Sequence, residues 1–143
     1  VYFTSCIYHG FWTGRYWNDQ WESIDMARLY KTNKNQGAEL LLDKLEVAES
    51  FWSRGWGLLG RKSIQHNEAL WILRCNNIHT WFMRMKIDCI FIDKRMEIQK
   101  IVSEVPSFRF VGPFWKSNSV IETSAGFAKE KNLKVGDQLY VVN

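Results

Sequence analysis

Apolar and polar positions along this chain come in short runs broken by turn-forming residues, and no run keeps a helical period for long. The first clear run is Ala27-Arg28-Leu29-Tyr30-Lys31, followed by the turn-prone Thr32-Asn33-Lys34-Asn35-Gln36-Gly37 and a second run from Ala38 to Val47. That order predicts a hairpin, with one face of its second arm partly wet. Four more runs read as strands: Ala69 to Arg74, Ile87 to Asp93, Glu97 to Val105 and Val120 to Thr123. Only Lys94-Arg95-Met96 separates the second of these from the third, so those two should pair as an antiparallel hairpin. A last strand is expected from Gln138 to Val142, after the turn Gly136-Asp137.

Two short helices complete the expected elements. Ser50 can cap one running to Leu59, ended by Gly60; Gly55 and Gly57 each cost such a helix about 1 kcal/mol, so packing of Phe51, Trp52, Trp56, Leu58 and Leu59 has to hold it. Ser124 can cap the other, from Ala125 to Lys131. The stretch from Ser107 to Ser119 is expected to be a loop whose Phe108, Phe110, Phe114 and Trp115 fold back onto the domain. These rings, and Trp52, Trp56, Trp71 and Trp81, are read first as core and second as stacking surfaces for bases or sugars.

Composition adds limits. With 143 residues, 46% hydrophobic and 24% charged, the chain suits one hydrophobic core. Charges interrupt every apolar run well before the roughly 18 residues that cross a bilayer, and the aromatic, polar N-terminus does not read as a secretory signal. The expected setting is the cytoplasm. Cys6, Cys75 and Cys89 form no Cys-x-x-Cys pair, and His9, His66 and His79 have no metal-ligand spacing. Gly55-Trp56-Gly57 lacks the frame of a phosphate loop, so no cofactor or metal is expected.

Residues 1–25 differ in texture, with Trp12, Trp17 and Trp21 among scattered glycines. They hold Arg15 against Asp19, Glu22 and Asp25, which leaves 18 basic and 12 acidic residues, or +6, on residues 26–143, compared with +4 for the whole chain. The domain itself is therefore read as residues 26–143, and residues 1–25 as an extension outside its core.

Several separated stretches are similar to one family. They are Ala48-Glu49-Ser50-Phe51-Trp52-Ser53-Arg54 running into Gly57-Leu58-Leu59-Gly60-Arg61, the run from Ile78-His79-Thr80 through Met83-Arg84 to Ile87-Asp88, and Phe91-Ile92-Asp93. Ile121-Glu122-Thr123-Ser124-Ala125-Gly126 and Val135-Gly136-Asp137 add to them. Together they resemble the uncharacterised domain of unknown function 192. The resemblance implies a mostly β fold, a compact jelly-roll-like β-sandwich with short helices, and a natural start near Met26. It implies no activity. The sequence departs from that family at Phe82 and Met96, where glycines are usual, and at Lys86 and Ser124, where prolines are usual.

The candidate chemistry lies in Arg54, Arg61, His79, Arg84 and Asp88, a set of three fixed cations, a titratable ring and a carboxylate. On an unbroken strand Asp88 shares a face with Ile90 and Ile92, while Asp93 falls on the other with Cys89 and Phe91, so the two aspartates do not form an acid–base pair. One reading is a pocket for an anion or polar ligand, since arginine offers a planar fork and His79 changes charge near neutral pH. The other is a structural ion-pair network in which Arg84, with Arg61 or His79 next, offsets the burial of Asp88. Cys75, four positions before His79, is read as a buried strand end rather than half of a Cys–His dyad. Three functions remain open: a non-enzymatic binding module for a small anion, glycan or protein segment; a small hydrolase or isomerase using His79 and Asp88; and a nucleic-acid binder.

Overall fold

In a computed structural model, residues 27–33, 37–48 and 62–143 are described. The extension at residues 1–25 and the helix expected from Ser50 to Leu59 lie outside them, as do Arg54 and Arg61. The described elements are β1 (Ala27–Asn33), β2 (Gly37–Ala48), β3 (Glu68–Leu73), β4 (Ile78–His79), β5 (Ile87–Ile92), β6 (Ile98–Val105), β7 (Phe110–Val111), β8 (Ser119–Ser124), α1 (Phe127–Glu130) and β9 (Leu139–Val142). The fold is mostly β. Every strand expected from the pattern is present within one or two residues, and β4 and β7, two residues each, join them.

Seven strands form one mixed sheet in the order β6-β5-β8-β3-β2-β1-β9, with β2 and β3 parallel and the other neighbours antiparallel. The sheet curls until its ends meet. A bridge joins Glu97 to Gln138, the amide of Ile98 donates to the carbonyl of Asp137 (2.9 Å), and that of Leu139 donates to Met96 (2.9 Å). Closure of this kind hides edge strands that would otherwise present free amides and carbonyls. Inside the curl lies a cluster drawn from all seven strands and α1, including Leu29, Leu45, Ala69, Ile90, Ile98, Ile121, Phe127 and Leu139.

A second cluster covers the opposite face. There Leu70, Ile72, Cys89, Phe91 and Val120 of the sheet pack under Ile64, Ile78, Met83 and Val111 from the connecting segments. All six residues of β5 are consequently buried. The alternation expected for β5 holds: Ile90 and Ile92 sit in the inner cluster, Cys89 and Phe91 in the outer one.

Two bulges set the path of β6. Between Ile87 and Cys89 its partner register slips from Val105 to Val102, and Glu104 takes a positive φ of 53°. The β5–β6 turn places Met96 at φ 64°, the left-handed residue that such turns usually assign to glycine. Asp93 supports the turn by accepting from the amides of Arg95 (2.8 Å) and Glu97 (3.0 Å).

The final helix differs from the expectation. It spans only Phe127–Glu130, its N-cap is Gly126 at φ 88°, and no side chain of the cap bonds to it. Ser124 belongs to β8, with its hydroxyl 3.4 Å from His66 Nδ1. Asp88 supplies the missing acceptor from across the fold.

Candidate functional site

The ribbon β4–β7 holds two loops together at one end of the outer layer. Ile78 pairs with Val111 and His79 with Phe110, so Ile78 and Val111 face the core while His79 and Phe110 share the outward face. Thr80 ties the loops. Its hydroxyl donates to the carbonyl of Pro106 (2.6 Å) and accepts from the amide of Arg109 (2.9 Å), while its own amide donates to Arg109 (2.9 Å) and its carbonyl accepts from Phe108 (3.0 Å). The Ser107 hydroxyl adds a bond to the Met83 carbonyl (2.6 Å). Gly112 permits the approach, since a Cβ there would lie 2.7 Å from the Asn76 carbonyl oxygen.

These bonds fix two phenylalanines in conformations that β-carbons resist. Phe82 has φ 63° and Phe108 φ 59°, yet their side chains are 71% and 63% exposed and meet edge to face at 5.8 Å. Residues held in this region cost about 1 kcal/mol or more each, and persist where surrounding bonds over-determine them. Trp81 lies against the ring of His79 at 5.5 Å, and Phe110 is 61% exposed beside it. Only Phe114 folds back, packing edge-on against Phe91 at 4.6 Å. The expectation that these aromatics are core is thus corrected for Trp81, Phe108, Phe110 and Trp115, which the loop geometry turns outward; Trp71 is half-buried, and Trp52 and Trp56 lie outside the described residues.

Because Phe82 is so exposed, a glycine there removes strain and little packing. Phe82→Gly should raise the unfolding free energy by about 1 kcal/mol, measured by urea denaturation; an unchanged or lower midpoint would show that the ring contributes more than its backbone costs.

Of the expected polar set, the described members His79, Arg84 and Asp88 do not come together. His79 and Arg84 are exposed in the first loop, whereas Asp88 is fully buried on the inner face of β5, behind the sheet from the cluster that Ile78 and Met83 pack into. Its Oδ1 accepts from the amide of Glu104 (2.8 Å), the one freed by the β6 bulge, and its Oδ2 from the amide of Ala128 (3.0 Å) in the first turn of α1. Backbone donors, not Arg84 or His79, satisfy this carboxylate. Among the described residues no ion pair joins Arg84 to Asp88. Cys75, half-buried just past the end of β3, donates its thiol to the carbonyl of Asn77 (2.7 Å).

One buried carboxyl escaped the sequence reading. Glu122, on β8, is only 5% exposed, lies opposite Leu70 and Cys89 in the register, and makes no hydrogen bond or ion pair among the described residues. Burial pushes its pKa up to about 8, so the side chain is largely neutral at pH 7. Burial first, and then the neighbouring Glu122 and Asp88, also raise the Cys89 thiol far above its ordinary value, which leaves it unreactive. No group of three or more His, Cys, Asp or Glu side chains arranged to hold a metal occurs among the described residues.

A curled, mixed seven-stranded sheet with a short ribbon and two aromatic loops laid over its outer face defines a small mostly β domain. The same fold occurs in a protein of unknown function from Novosphingobium aromaticivorans (TM-score 0.69, 18% identity, covering 79% of this chain and 83% of that one). It occurs also in a putative transcription regulator from Sinorhizobium meliloti (TM-score 0.73, 18% identity, 83% and 95% covered). The family model DUF192, described as an uncharacterized ACR, matches residues 31–141, and the chain belongs to that family. A relative called UPF0127 protein, from the archaeon Thermococcus sibiricus, is 30% identical over 112 residues, which cover 75% of this chain and 71% of that protein.

Proposed function

We propose that this domain is a non-enzymatic binding module whose contact surface is the loop pair 78–86 and 106–111, and that its partner is anionic. The observation that carries this reading is the make-up of that surface. Its two segments contain Arg84, Lys86 and Arg109, all exposed, with His79 beside them and no aspartate or glutamate. They therefore hold +3, when the whole chain nets +4. Arginines among exposed aromatics are the residue types that dominate binding surfaces, because they combine large contact area with charge-assisted hydrogen bonds.

Turnover has weak support by comparison. A hydrolase or isomerase working through His79 and Asp88 needs both side chains within hydrogen-bond reach of a substrate. Asp88 is sealed on the far face of β5 with both oxygens engaged, and His79 rests on Trp81 in the open.

Retention on immobilised heparin tests the reading. The wild-type chain should elute at distinctly higher salt than an Arg84→Ser/Arg109→Ser variant, since each lost contact to a polyanion lowers the salt dependence of binding. Both arginines are exposed, and the bonds that Arg109 makes to Thr80 are through its backbone, so the variant should keep the wild-type melting temperature. Equal elution of the two proteins would sink the proposal.

A further inference from the structure

We infer that the anionic partner of this surface is a lipid bilayer, against which Phe82 and Phe108 act as a wedge and Arg84 and Arg109 as headgroup contacts. The inference rests on the binding-module reading and specifies its partner.

Three observations favour a membrane over a peptide or a nucleic acid. First, the rings project rather than enclose. Phe82, Phe108 and Phe110 are each more than 60% exposed, and Trp81 is 48% exposed, so they stand out from the loops instead of lining a groove into which a helix or side chain could lie. Second, the backbone of these loops is already used. The amides of Thr80, Met83, Phe108 and Arg109 and the carbonyls of Thr80, Met83, Pro106 and Arg109 bond across or within the pair, so few groups remain to template an added strand. Third, the ring pairs are not parallel. Phe82 and Phe108 meet at 71° and His79 and Trp81 at 33°, whereas a stacking platform for successive bases needs open faces in series.

An interface between water and acyl chains asks for what is present. Apolar and amphipathic rings enter the boundary region, flexible cations reach the phosphates around them, and neither interaction needs a shaped pocket. The absence of acidic side chains from both segments removes the repulsion that an anionic leaflet would otherwise meet. The cross-loop bonds of Thr80 and Ser107 keep the rings extended before contact, so little ordering remains to be done on binding. No helix among the described residues is long and apolar enough to span a membrane, so the contact envisaged is peripheral.

Co-sedimentation of the full chain with vesicles decides the matter. Phosphatidylcholine vesicles carrying about 30 mol % phosphatidylserine should bind the wild type, and pure phosphatidylcholine vesicles should bind it at least tenfold more weakly. Phe82→Ser/Phe108→Ser should lose at least tenfold in binding to the anionic vesicles while keeping its melting temperature and its heparin elution. Arg84→Ser/Arg109→Ser should lose both vesicle and heparin binding. No binding to anionic vesicles, or binding that the phenylalanine variant leaves intact, overturns the membrane inference. If heparin retention still depends on the arginines in that case, the binding surface stands with another polyanion as partner, and a single-stranded oligonucleotide that binds the wild type but not the phenylalanine variant would identify it as nucleic acid. If heparin retention is also independent of the arginines, both readings fall together.

Discussion

Replacing Asp88 by alanine should lower the unfolding free energy by about 3 kcal/mol or more, one of the largest losses available from a single polar side chain in this domain. Hydrogen bonds to an ionised group contribute roughly 1.5–3 kcal/mol each, and Asp88 accepts two, from Glu104 and Ala128. The alanine also leaves the amide of Ala128 buried without an acceptor, because no side chain of the cap residue Gly126 bonds to the helix. Asp88→Asn is the sharper variant. It conserves shape, but its side-chain NH2 must face one of two amide donors, so it should lose at least half as much. Urea denaturation at constant m-value measures both. If Asp88→Asn unfolds at the wild-type midpoint, the carboxylate does not hold the β6 bulge and α1 together. Arg84→Ser, by contrast, should leave the midpoint unchanged, which separates the polar residue that builds the fold from the one that lies on its surface.

The second large effect is on pH. Burial raises the Glu122 carboxyl from its ordinary 4.5 to about 8 in the folded chain, so folding takes up a proton between those two values. The folded state therefore binds more protons than the unfolded one across that window, and stability falls as pH rises. The contribution is fully present below about pH 4.5, declines at up to about 1.4 kcal/mol per pH unit, and is gone above pH 8. The accumulated loss is on the order of 5 kcal/mol. Glu122→Gln cannot ionise, and should remove this slope. Its stability should be close to wild type near pH 5 and clearly higher near pH 9. Parallel stability profiles for the two proteins over that range would mean that Glu122 is not held neutral in the fold.

Asp88 and Glu122 share a cause but differ in outcome. Both sit on central strands covered on two sides, since β5 lies between β6 and β8, and β8 between β5 and β3. Asp88 meets two amides that the regular ladder and helix leave unpaired, so both of its oxygens find donors. Glu122 meets Leu70 and the Cys89 thiol, so ionisation is opposed. A carboxylate in a sheet interior is supported by irregular backbone nearby and penalised by regular backbone.

The aromatic end shows strain placed where contact is expected. Phe82 and Phe108 retain positive φ because Thr80 and Ser107 bond both loops at fixed register, and the reward is exposure of the rings rather than packing. If the proposed contact holds, stability and binding pull apart at Phe82, where glycine should help the first and weaken the second.

Short apolar runs bounded by turn residues were enough to place β1, β2, β3, β5, β6, β8 and β9, because local alternation and turn chemistry determine where a strand can begin and end. The β5–β6 hairpin followed from a three-residue separation, and the two faces of β5 from simple alternation. The family stretches were likewise legible in the residues themselves. What the chain pattern did not contain was strand order. Only the closed, seven-stranded arrangement buries both faces of β8 and so turns Glu122 into a neutral buried acid. The same arrangement put Asp88 behind β5 from His79 and Arg84, dividing a set that lies within ten residues along the chain. Ribbons as short as β4 and β7 have too few residues for any periodicity, and the outward turn of Trp81, Phe82, Phe108 and Phe110 depends on bonds between loops about thirty residues apart. Hydrophobicity alone assigned Trp81, Phe108 and Phe110 to the core; tertiary hydrogen bonding by Thr80 put them in solvent.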